Sequence, residues 1–130
     1  MHTKLLMMAS AAFLLVLGLL LTFAPREVLA WAGIEAPLIP VLVVQAAGAL
    51  YLGFAVVNWM GKDNLIGGIY GRPVALGNFV HFFVMALTLL KALPAGHAIP
   101  MMWLTTFVYV VFAGWFGLVV FRSPLFKPSR

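Results

Sequence analysis

The chain has 130 residues, 65% of them hydrophobic and only 8% charged, with a mean hydropathy of +1.12 and a formal charge of +5. A water-soluble domain of this size carries roughly a quarter of its residues as charges, so the composition excludes an aqueous fold and makes the bilayer the solvent. The absence of cysteine excludes disulfides, thiolate catalysis and Cys-bound metals or clusters.

Four apolar runs follow one another at 5–23, 38–60, 74–93 and 101–121. The first, second and fourth contain no Asp, Glu, Lys or Arg, and the third has only Lys91 near its end. Each is about 20 residues long, which at 1.5 Å per residue crosses a hydrocarbon core of about 30 Å. The expected fold is all-α: one integral-membrane domain over 1–130, built as an up-down four-helix bundle whose short loops make successive helices antiparallel. The basic start at Lys4 and the small residues around Ala30 loosely fit a signal peptide. Against this, the run is longer than an ordinary signal core, and Pro25, Arg26 and Glu27 separate it from that site, so it reads as a retained span.

Between the first two spans lies APREVLAWAGIEAP. Pro25 suits the first turn of a short helix, Glu27 its positive end, Trp31 an interfacial anchor and Gly33 a left-handed close, so a surface helix is expected over 25–33. Pro37 and Pro40 fix the entry to the second span, where the first amides lack helical partners anyway. The loop 61–73, GKDNLIGGIYGRP, mixes charge with apolar residues and glycines and reads as a segment dipping into the headgroup layer; it lacks the spacing of a phosphate loop. PAGHAIP makes a short outer turn.

Charge sets the expected orientation. With the N-terminus cytoplasmic, that side carries Lys4, Lys62, Arg72, Arg122, Lys127 and Arg130, and the other side only Arg26 and Lys91. This bias places both termini in the cytoplasm of an inner-membrane protein. The basic tail FRSPLFKPSR then lies against anionic headgroups, and nucleic acid is not expected as a partner.

Within hydrocarbon, small and polar residues at helical spacing mark faces that touch protein. In the last span Thr105, Thr106, Tyr109, Ala113 and Gly117 share one side, expected to face the bundle, while Trp103, Phe107, Val111 and Gly114 point elsewhere. The second span shows one face with Gln45, Ala49 and Gly53 and another with Ala47, Tyr51 and Asn58, so it is central or offers one face to a second protomer. The first span, with mainly Ser10 and Gly18 among leucines, is expected to be the most lipid-exposed. In the third span Gly77, Asn78, His81, Met85 and Thr88 recur every three or four residues and are expected inward.

Depth aligns two of these faces. Counted from the cytoplasmic end, Asn78 and His81 lie roughly 6 and 10 Å in, and Asn58 and Tyr51 roughly 3 and 13 Å. The expectation is a polar layer of Tyr51, Asn58, Asn78 and His81 with Arg72 at its mouth. It reads either as hydrogen-bonded glue between helices or as a site for a lipid headgroup, a quinone-like ring or a small polar solute. Catalysis lacks partners: the acids Glu27, Glu35 and Asp63 lie outside the spans, and His81 is the sole imidazole within them. No catalytic residue, metal site or resident cofactor is therefore assigned, and haem ligation within one chain is not expected.

The segments FAPREVLAWAGI, QAAGALYLGFAVVNWM and RPVALGNFVHF, taken in this order, resemble small four-span bacterial membrane proteins of the DoxX-like and related uncharacterised type. The resemblance implies a bundle in a bacterial inner membrane, with some relatives regarded as accessory subunits near oxidoreductases or as quinone-associated. It supplies no catalytic motif. The expected role is a non-enzymatic assembly or accessory subunit, in a homo-oligomer or with a larger membrane partner, holding a lipophilic ligand at the polar layer. A small-solute channel with Asn78 and His81 as its constriction, and a subunit of a membrane oxidoreductase, are the alternatives.

Overall fold

A computed structural model describes residues 3–63, 71–95 and 100–122. The expectations for the centre of the 61–73 loop, the PAGHAIP turn and the basic tail fall outside those residues. Helix α1 spans Thr3–Phe23, α2 Pro25–Trp31, α3 Leu38–Gly61, α4 Gly71–Ala92 and α5 Pro100–Arg122, with a single 3-10 turn at Leu93–Ala95. Among the described residues there is no strand. Four of these helices are long and apolar enough to cross a membrane, so the chain is an all-α integral membrane protein whose long helices are those of a four-helix bundle.

The helix ends follow the prolines. Pro25 stands at the start of α2, Pro100 opens α5, and Pro40 and Pro73 occupy first turns of α3 and α4, where a missing N–H breaks no helical bond. Arg72 and Pro73 therefore lie inside α4, which begins three residues before the apolar run. A single residue, Ala24, links α1 to α2, its N–H donating to the Leu20 carbonyl at 2.8 Å. At the other end of α2, Gly33 takes φ +71°. There the Gly33 N–H donates to Ala30 and the Ile34 N–H to Leu29, each at 3.0 Å, closing the helix in a Schellman motif that needs the left-handed residue.

The chain divides into two compact units, residues 7–62 and residues 63–130 joined by 1–6. In the first of these, α1 and α3 run antiparallel: Ser10 meets Asn58, Gly18 meets Leu52, and Thr22 meets Gln45 and Gly48. The buried stripe of α1 in this unit is Met7, Ser10, Ala11, Leu14 and Gly18. The expectation that α1 is the most lipid-exposed span is overturned: a third of its apolar stretch (33%) is buried, against 17% in α3. Ser10 and Gly18 fall on one stripe with Met7 and Leu14, so these two small residues lie on the same buried side of α1.

In the other unit, α4 and α5 form an antiparallel pair held by aromatic rings. Phe82 is fully buried and stacks on Phe112 and Phe116 with centroids 4.8 and 5.6 Å apart, and Tyr109 lies 5.4 Å away. Phe79 meets Phe121 edge-on at 5.3 Å, and Gly117 makes room for it, since a Cβ there would be 3.1 Å from the Phe79 ring. The buried stripe of α4 is Ala75, Asn78, Phe82 and Ala86. It is turned from the expected face, so Thr88 is exposed rather than inward. The reason is local: Thr88 Oγ1 donates to the Val84 carbonyl at 2.9 Å and needs no neighbouring helix.

Candidate functional site

The buried polar residues form local arrangements within each unit. In residues 7–62, Ser10 Oγ donates to the Met7 carbonyl at 3.0 Å and accepts from Asn58 Nδ2 at 3.0 Å, with both side chains at 0% exposure. Gln45 Nε2 donates to the Thr22 carbonyl at 3.2 Å. Two carboxamides of α3 thus grip α1 near its two ends. The serine hydroxyl hydrogen is committed to a carbonyl, so this geometry clamps helices and does not activate a nucleophile.

Close packing completes the clamp. A Cβ on Gly48 would lie 2.5 Å from Thr22 Oγ1 and 2.8 Å from the Thr22 backbone nitrogen, and one on Gly18 would lie 2.8 Å from Leu52. Backbone cannot yield as a side-chain end can, so Gly48 is required at this contact. Sequence reasoning singled out Ala49 and Gly53, which the structure leaves exposed, with nothing within 4 Å of a Cβ built on Gly53. The run Ala46, Ala47, Gly48, Ala49 presents small side chains in every direction, so composition alone names no face.

In the α4 and α5 pair, Asn78 is fully buried and Nδ2 donates to the Val74 carbonyl of its own helix at 2.9 Å. His81 is half-buried, its ring 5.1 Å from that of Phe82 and 5.8 Å from that of Tyr109. Arg72 is exposed in the first turn of α4, Gly77 is half-buried and Ala113 is buried. Arg72, Asn78 and His81 belong to this unit, and Tyr51, half-buried, and Asn58 to the other. Thr105 and Thr106 donate to Met101 and Met102 of their own helix at 2.8 and 2.7 Å.

Two apolar grooves accompany these contacts. One, of about 540 Å³, lies between α4 and α5, walled by Phe79, Phe83 and Phe121 over Ala86, Ala113 and Gly114. The other, of about 350 Å³, lies between α1 and α3 and is lined by Ala11, Ala12, Leu15, Ala55, Val56 and Trp59. Beside it, Lys62 Nζ donates to the Trp59 carbonyl at 3.2 Å and sits 4.4 Å from the centroid of the Trp59 ring. Neither this cation–π pair nor the aromatic stack around Phe82 was read from the sequence, and the signal for the first was the WMGK ending of the second apolar run. Set beside known proteins, the chain matches no protein-family model, no curated protein and no solved structure, so its reading rests on its own residues.

Proposed function

We propose that this chain is a small non-enzymatic subunit of a bacterial inner membrane, with both termini cytoplasmic, that assembles with a second copy or a larger membrane protein through the outer face of α3. The carrying observation is Gly53. It is exposed, nothing lies near the position of its Cβ, and it lines up with Leu42, Ala46, Ala49 and Met60, all exposed. These follow the three- and four-residue steps of a helix seam, and small residues there allow another backbone to approach closely. A glycine within a helix costs about 1 kcal/mol against alanine, and at Gly53 no neighbour among the described residues offsets that cost. The six-to-two charge bias supports the orientation, and the resemblance in layout to DoxX-like proteins supports the accessory role.

The test is the mass of the purified protein in mild detergent, with crosslinking in bilayers alongside. Gly53→Leu should weaken association by about 1–3 kcal/mol while leaving helix content unchanged. An oligomer untouched by Gly53→Leu, or a wild type that is monomeric and partnerless, would reject the reading. Gly117→Leu is the contrast, because its collision is with Phe79 of the same chain.

A ligand level on α4 belongs to the same proposal. The half-buried His81, backed by the buried rings of Phe82 and Tyr109, is the residue of α4 beside which a flat lipophilic ring would lie, with Arg72 nearer the helix start. Native mass spectrometry should then find a discrete small molecule on the wild type that His81→Ala loses. Its absence from the wild type would remove the ligand from the proposal and leave the assembly reading standing.

A further inference from the structure

The groove between α1 and α3 is not used by the assembly seam or by the His81 level, and its shape follows from its residues. Ala11, Ala12 and Ala55 are too small to fill the space between the helices, and Leu15, Val56 and Trp59 stand around the gap they leave. Farther along the same hairpin the helices close up, since Leu52 lies against Gly18 and Thr22 against Gly48. The opening lies toward one end, along the last turns of α3, which stops at Gly61. Measured along the helix from Lys62, Trp59 and Ala55 lie roughly 5 and 10 Å deep.

Two features define the occupant. The rim residues Leu15, Val56 and Trp59 are 45%, 56% and 53% exposed, so an apolar chain can enter from the side of the helix pair. At the helix end a positive charge is held in place: the Trp59 ring that walls the groove also carries the Lys62 ammonium. A tryptophan at the membrane interface with a lysine reaching to headgroup level is the arrangement that meets an amphiphile with an apolar tail and a negative head. The groove's lining runs over residues 11–15 and 55–59, little more than one turn of each helix, which takes the upper part of one acyl chain and is shorter than the seam another helix needs.

We propose that this groove is a binding site for a phospholipid with an anionic headgroup, one acyl chain lying between α1 and α3 against Trp59 and the phosphate pairing with Lys62 Nζ. The volume of about 350 Å³ falls at the small end of ligand sites, which run from about 300 to 1,000 Å³. Apolar contact supplies retention, and Lys62 supplies the preference for negative charge. The two contributions can be separated by substitution.

The experiment is native mass spectrometry of the full chain released from nanodiscs made of equal parts phosphatidylglycerol and phosphatidylcholine. The wild type should retain phosphatidylglycerol over phosphatidylcholine by about fivefold, the worth of one lysine near a membrane surface. Lys62→Gln should bring the two lipids level. Lys91→Gln, which removes a cation from the last turn of α4, should leave the preference intact. Ala12→Phe, entering from the exposed rim, should lower retention of both lipids without changing their ratio, and Ala12→Leu replaces it should circular dichroism show lost helix. A wild type without preference would overturn the site. So would equal losses in Lys62→Gln and Lys91→Gln, or full retention in a folded Ala12 variant.

Discussion

The two helix pairs achieve the same end by different means. The α1 and α3 pair approaches through glycine and alanine and is fastened by two carboxamides, whereas the α4 and α5 pair is filled by rings stacked around Phe82. In water both pairs would gain from burying apolar area. In lipid that gain nearly vanishes, because the tails are as apolar as leucine, and what remains is contact quality and satisfied polar groups. The first pair depends on backbone proximity and cannot tolerate added volume; the second depends on interlocking large side chains and cannot tolerate lost volume.

Substitutions of opposite sign sharpen that comparison. The largest effect is expected from Gly48→Leu, whose side chain would meet the Thr22 backbone, at about 3 kcal/mol or more. Equilibrium unfolding in mixed micelles reads it, and a wild-type midpoint would show that α1 and α3 are not closely packed. Next comes Phe82→Ala, which removes the centre of the aromatic stack and leaves a cavity, at about 2–3 kcal/mol by the same measurement. The smallest effect is the coupling between Ser10 and Asn58. A double-mutant cycle with Ser10→Ala and Asn58→Leu should return about 0.6 kcal/mol, the average for such bonds in bilayers, and strict additivity would mean that the hydrogen bond contributes nothing.

The spans were legible because length and unbroken apolarity are strong signals, and α2 because Pro25, Glu27 and Gly33 each have a positional reason to be where they are. Rotation of the helices was harder to read. Thr88 drew attention as a polar residue within a span, yet a hydroxyl can bond to its own helix and so says little about neighbours. Phe82 is unmarked for the converse reason: an aromatic ring suits lipid and protein alike, and nothing in its chemistry sets it apart as central. Gly48 was hidden among alanines. Asn58 stands out as a polar residue in hydrocarbon, but its partner Ser10 lies 48 positions earlier, on a span made mostly of leucines and other apolar residues.

Those self-contained hydroxyls bear on how the protein is made. Ser10, Thr88, Thr105 and Thr106 each donate to a carbonyl three or four residues earlier in their own helix, so each can enter the bilayer without waiting for company. Asn58 and Gln45 differ: their amides are met by Ser10 and by the Thr22 carbonyl, both on α1. Ribosomal synthesis delivers α1 first, so the acceptors are already in place when the donors of α3 arrive. The direction of translation thus spares the membrane the one state in which a carboxamide would stand in hydrocarbon with nothing to hold.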